Sequence, residues 1–137
     1  TNCEVYMVPR EKLLEVLRGS NDVMFLMLDR YVSRSVAKSM RLNALEYLKA
    51  SDKVLHMLYF LCLAYGRPKG TDSILIDLPL TQQDFANMLG LTRETTGIEL
   101  NKLKRKGVVS FNRRCYTVKK TALTRLIGES EFEDLKL

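Results

Sequence analysis

The chain has 137 residues, 46% of them hydrophobic and 28% charged, with a formal net charge of +6. That composition excludes a disordered chain and suits one ordinary domain, or a small domain with an accessory element. No apolar run approaches the ~20 residues of a membrane span, and charges at Glu4, Arg10, Glu11 and Lys12 fall where a signal peptide would be apolar.

Cysteine usage points the same way. Cys3, Cys62 and Cys115 are far apart and odd in number. They make neither a disulfide framework nor a cysteine-rich metal site, and they fit a reducing cytoplasm. The positive charge is concentrated. Residues 101–120 hold Lys102, Lys104, Arg105, Lys106, Arg113, Arg114, Lys119 and Lys120 with no acidic residue, whereas Glu129, Glu131, Glu133 and Asp134 make 129–137 an acidic tail. A basic block inside a folded region suggests a face for a polyanion; the alternative is a solvated helix face.

In chain order, "TNCEVYMV" reads as a strand with no partner strand after it. Pro9 stands at a helix N1 position and Gly19 at a C′ position, which predicts a short helix over 9–18 with Leu13, Leu14 and Leu17 as its stripe. The chain is thus expected to begin inside an element of something longer. Residues 20–48 contain no Gly or Pro and predict one long helix, about 40 Å at about 1.5 Å per residue, capped by Ser20 or Asn21. Along it Leu28, Val32, Ser35, Ser39 and Leu42 recur at spacings of three and four. A stripe of this length on so long a helix is most economically covered by a symmetric partner helix, the alternative being an ordinary core helix.

Ser51 is expected to cap a further helix ending at Gly66, apolar nearly all round through Val54, Leu55, Leu58, Tyr59, Leu61, Cys62 and Tyr65. "GRPKGTD" reads as a loop, and "SILIDLPL" as a strand alternating Ile74, Ile76 and Leu78. Thr81 and Asp84 have capping-box spacing. Phe85, Ala86, Met88 and Leu89 then make a short helix that Gly90 stops. Leu91 plugs the turn, Thr92 caps a helix from Arg93 to Lys106, and Gly107 ends it. Strands at 108–111 and 115–118 flank Asn112-Arg113-Arg114, and Thr121 is expected to cap a last helix to Ile127. Helix, glycine turn, helix and hairpin make a winged helix-turn-helix. The predicted class is therefore mainly α with a small β wing, preceded by a long helix.

The stretch "LTQQDFANMLGLTRETTGIELNKLKRKGVV" resembles the DNA-binding domain of the cyclic-AMP receptor protein / fumarate-nitrate regulator (Crp/Fnr) family, without a gap, and the likeness covers 80–118. Upstream, "CEVYMVPREKLLEVLRGSNDVM" is similar to the last strand and following helix of that family's sensor β-roll, and 20–48 to its dimerisation helix. The implied organisation is a sensor-domain tail at 1–19, a dimerisation helix at 20–49, a winged domain at 50–128 and the acidic tail, with the rest of the roll absent.

The resemblance implies a homodimer on a pseudo-palindromic operator in double-stranded DNA, in the cytoplasm, and in the family such proteins also touch RNA polymerase. A helix entering the major groove by its N-terminus offers first-turn side chains to base edges, where arginine pairs with guanine and glutamate accepts from cytosine. Arg93 and Glu94 occupy those family positions; a surface ion pair is the plainer alternative. Thr81, Gln83, Thr92 and Thr95 match family phosphate contacts, Arg113 and Arg114 at the wing and Lys102 extend them, and the stripe Leu28, Val32, Ser35, Ser39 and Leu42, read from its spacing as a dimer seam, lies on the helix similar to the family's dimerisation helix.

The chain departs from the pattern in three places. Ile98 stands where the family often has a second arginine, and can touch only a thymine methyl. Thr96 and Glu99 stand where the family is usually aliphatic, which leaves Leu100 and Leu103 to anchor the helix. Lys38-Ser39 replaces a Thr-Ser pair that touches nucleotide in the cyclic-AMP receptor, which argues against cyclic AMP and leaves the effector open. His56 reads as a packed helix residue. With one histidine, no glycine-rich phosphate loop and no paired carboxylates, no catalytic set can be assembled, and no cofactor or metal is expected in this fragment. The rival readings are a winged-helix protein-interaction module and a sequence-independent nucleic-acid binder.

Overall fold

The computed structural model describes residues 2–112 and 114–128. The chain divides after Ser35 into two units, and helix α2 (Asn21–Glu46) runs from the first into the second.

In the first unit the expected N-terminal strand is absent: residues 2–9 belong to no helix or strand and are exposed. An extended segment without a ladder partner gains nothing over hydration of its own N–H and C=O groups, so alternation alone does not make a strand. Helix α1 spans Arg10–Gly19. Pro9 sits at the N-cap rather than at N1, and its carbonyl accepts from the Leu13 N–H at 3.1 Å. Gly19 is the last helical residue, not a left-handed C′, and the chain leaves through an extended Ser20. Ser20 Oγ then accepts from the Val23 N–H at 3.4 Å, the expected cap of α2.

The second unit is built around α3 (Ala50–Tyr65), in which Val54, Met57, Leu58, Tyr59, Phe60, Leu61 and Cys62 are all buried. Ala37, Met40, Ala44 and Leu45 of α2 join this core. Ser51 does not cap α3. Lys49 holds the N-cap position without a side-chain bond, and Ser51, one residue inside the helix, turns its hydroxyl to Asp52 Oδ1 at 3.1 Å.

The segment read as a loop begins with an edge strand, β1 (Gly66–Pro68), paired antiparallel with β2 (Ser73–Ile76). Proline is tolerated there because an edge strand has a free N–H side. Gly66 is required by space: a Cβ would collide with the Cys62 carbonyl oxygen and with the Ile74 side chain. The wing strands β3 (Val109–Asn112) and β4 (Cys115–Lys119) complete an antiparallel sheet of order β1-β2-β4-β3. The register sets Val118 between Ile74 and Val109, and Tyr116 between Ile76 and Phe111, with Ile74, Ile76, Val109, Tyr116 and Val118 all buried. Phe85 of α4 (Gln82–Leu89) meets Tyr116 at 5.9 Å between ring centres, and Phe111 meets it at 5.6 Å.

Helix α6 spans Lys120–Ile127. Thr121 does not cap it but lies within it, giving its N–H and hydroxyl to the two carboxylate oxygens of Asp72 at 3.0 and 2.7 Å. These bonds hold the Asp72 carboxyl below its usual range. The acidic tail at 129–137 lies outside the described residues. The predicted class, mainly α with a small β wing, describes the fold.

Candidate nucleic-acid interface

The site begins with two caps. At the start of α4, Asp84 Oδ2 accepts from the Thr81 N–H at 2.8 Å and from the Thr81 hydroxyl at 2.6 Å, while Thr81 Oγ1 accepts from the Asp84 N–H at 3.1 Å. Donation from the Thr81 side chain first, then from its backbone, lowers the Asp84 pKa. Gly90 ends α4 in the left-handed region at φ 63°, and the Leu91 N–H closes the turn on the Ala86 carbonyl at 3.0 Å. A residue with a Cβ would be strained there.

Thr92 caps α5 (Arg93–Arg105) by accepting from the Thr95 N–H at 3.1 Å, and its hydroxyl donates to Thr95 Oγ1 at 2.9 Å. The inward positions of α5 are Thr96, Leu100 and Leu103, all buried. The Thr96 hydroxyl oxygen finds no partner there. Gly97 lets the two helices approach: a Cβ at that position would lie 3.2 Å from Gln82 Oε1.

With that inner face fixed, Arg93 and Glu94 project from the first turn into solvent, and Ile98 follows one turn later at 56% exposure. Thr81, Gln82, Gln83, Arg93 and Phe111 line an open groove of about 510 Å³. The structure thus brings together Thr81, Gln83 and Arg93, and sets Thr92, Glu94 and Thr95 in the adjoining helical turn. Gln83 Nε2 is also bonded to Asn87 Oδ1 at 2.8 Å. Gln82 and Phe111 were not foreseen in this groove. The glycine at 97 was the one available signal for Gln82, since a helix-interior glycine marks a close approach.

Lys102 does not stand free. Its Nζ lies 2.7 Å from Oε1 of Glu99, the acidic residue that stands where the family is usually aliphatic. Lys104 Nζ stands 5.0 Å over the Phe111 ring. Arg114 is exposed at the wing, and its carbonyl accepts from the Leu80 N–H at 3.3 Å, tying the wing to the approach to α4. Arg113 lies outside the described residues. On α2, Leu28, Val32 and Leu42 are exposed by 54, 50 and 59%, and Ser35 and Ser39 are exposed as well. His56 stacks on Tyr47 with ring centres 4.1 Å apart, as a packed residue would. Among the described residues no cluster of three or more metal-ligating side chains occurs, and no helix is long and apolar enough to cross a membrane.

Two helices joined at a left-handed glycine, with an antiparallel hairpin behind them, define a winged helix-turn-helix domain, a class of DNA-binding folds. Residues 52–126 match the model of the Crp-like helix-turn-helix domain, and the chain belongs to that family, the Crp/Fnr-type transcription regulators. It is 30% identical over 120 residues to the global nitrogen regulator of a Nostoc species, covering 88% of this chain and 53% of that protein. It is 31% identical over 121 residues to the transcriptional regulator ArcR of Staphylococcus aureus, covering 88% and 51%. The chain therefore spans about half the length of these curated relatives. In fold it is similar to CprK in complex with OCPA (TM-score 0.60, 22% identity, 85% of this chain and 54% of CprK). It is also similar to a mutant of CooA from Carboxydothermus hydrogenoformans (TM-score 0.66, 19% identity, 85% and 54%).

Proposed function

We propose that this chain is the dimerisation helix and DNA-reading domain of a cytoplasmic regulator that binds a pseudo-palindromic operator as a homodimer and touches RNA polymerase there. The observation that carries the reading is the first turn of α5: capped by Thr92, exposed, and presenting Arg93 and Glu94 beside the groove lined by Thr81 and Gln83. Arg93 donates to a guanine and Glu94 accepts from a nearby cytosine, while Ile98 meets a thymine methyl or nothing. Thr81, Gln83, Thr92 and Thr95, with Arg113 and Arg114 on the wing, hold the phosphates, to which helix N-termini and cations are both attracted. The seam is Leu28, Val32, Ser35, Ser39 and Leu42, whose apolar members are half exposed in the single chain.

Selection from a random duplex library tests this. The parent should return two half-sites about 34–36 Å apart, each with one strongly required guanine. Arg93→Ala should cost about 1–3 kcal/mol and relax choice at that base pair, and Ile98→Arg should add a preference for a further guanine. An unchanged motif from Arg93→Ala means that α5 is not docked by its first turn.

A further inference from the structure

Glu94, Ile98 and Lys102 recur every four residues, so they share one face of α5, and all three are exposed. On the proposed DNA-binding reading that face looks into the groove, and Lys102 is the cation on it nearest in kind to a phosphate contact. In the structure it is already paired with a carboxylate. Glu99 lies three residues earlier, and its side chain is only 14% exposed, against 58% for Lys102. A carboxylate so far withdrawn from water needs a positive partner, and it is the long, solvated lysine that has come to it. The pair is also partly shielded from salt by the burial of one member.

For Lys102 to reach a phosphate, this ion pair must break. Doing so would leave Glu99 uncompensated, and close to a phosphate of like charge. The other ion pair among the described residues, Arg67–Asp77, has both side chains largely in solvent, at 74% and 49% exposure, and carries no comparable cost.

We propose that Glu99 sets the strength of sequence-independent binding: it withholds Lys102 from the DNA backbone and so lowers affinity for every duplex alike. Sequence-independent binding scales with the number of phosphates neutralised, and each one adds about 0.9 to the dependence of log affinity on log salt. Withholding one lysine therefore weakens binding to every sequence, with no loss of base contacts. Because the loss is common to all sequences, it lowers the salt-dependent, sequence-independent part of the affinity and leaves base reading to Arg93 and Glu94.

The test uses the full chain and a duplex of random sequence. Glu99→Gln should steepen the salt dependence by about 0.9, so that raising salt from ~50 to ~200 mM costs about 3.5-fold more affinity than it costs the parent. Adding Lys102→Ala to Glu99→Gln should return the slope to the parental value. Glu46→Gln on α2, which changes net charge equally, should not steepen it. A Glu99→Gln slope equal to the parent's overturns the proposal. So does a steeper slope that persists without Lys102, or one that Glu46→Gln reproduces. If neither parent nor variants bind duplex, the DNA-binding reading falls, and acetylation of the free protein by an N-hydroxysuccinimide ester, mapped by mass spectrometry, still decides the pair. Lys102 must react faster in Glu99→Gln than in the parent, relative to Lys104; equal rates refute the withholding.

Discussion

Thr96 is fully buried in α5, and its hydroxyl oxygen is enclosed with no hydrogen-bond partner. Thr96→Val replaces that hydroxyl with a methyl group of similar size. Leaving a buried polar group unpaired costs about 1–3 kcal/mol, and helix propensity barely distinguishes threonine from valine. The variant should therefore be more stable by about 1–2 kcal/mol, the lower part of that range allowing for imperfect packing of the new methyl. A domain of 60–100 residues gains about 4–8 °C in Tm for each kcal/mol. Thr96→Ser is the counterpart: it keeps the unpaired hydroxyl, deletes a buried methyl and should lose about 1 kcal/mol. Urea unfolding of the full chain, followed by circular dichroism, reads both variants. If Thr96→Val unfolds at the same or lower urea than the parent, the hydroxyl is satisfied in solution and the reasoning fails.

Asp84 makes the capping box sensitive to acid. Its folded-state pKa lies below the ordinary 3.8 because the Thr81 hydroxyl and N–H donate to the charged form, so its contribution is complete above 3.8 and disappears as pH falls through the lowered value. Asp84→Asn should flatten the acid limb of a plot of urea midpoint against pH, and an unchanged limb would show that the box does not control it. At the seam, Val32→Glu sets like charges opposite each other across the proposed two-fold pair and should sediment as monomer; a variant as dimeric as the parent places the seam elsewhere.

Where neighbours along the chain decide the structure, the sequence was legible. Thr81 with Asp84, Gly90 and Thr92 are separated from their partners by a turn or less, and all three act as their spacing predicts. Ser51 apart, whose hydroxyl turns to the adjacent Asp52, the errors arose where the partner is remote or missing. Asp72 meets Thr121 from 49 residues away, so a threonine in a capping position was credited with a bond that it gives to another residue. Gly66 and Pro68 belong to a strand only because β2 lies beside them. Residues 2–9 have the alternation of a strand and no neighbour to complete it. Arg93 and Glu94 were singled out through their positions in the family motif, and the structure leaves both exposed on the first turn of α5. The engagement of Lys102 could not be read in this way, because a helical i, i+3 spacing permits an ion pair without saying that burial of Glu99 will enforce it.

β4 is hydrogen-bonded on both sides, to β2 along Ser73–Ile76 and to β3 along Val109–Asn112. The wing is thus one half of a continuous sheet whose other half leads into α4, not a hairpin hinged on a loop. To shift it along a duplex, a complex would have to shear the β2–β4 ladder and move the Tyr116 ring away from Phe85. Docked on DNA, such a wing would act as a beam: α5 and the wing strands stand at a set span, and a duplex whose backbone does not match that span must itself bend. The energy of that bend depends on how compliant the base steps under the wing are, so flanking sequence that no side chain touches would still be weighed by the protein.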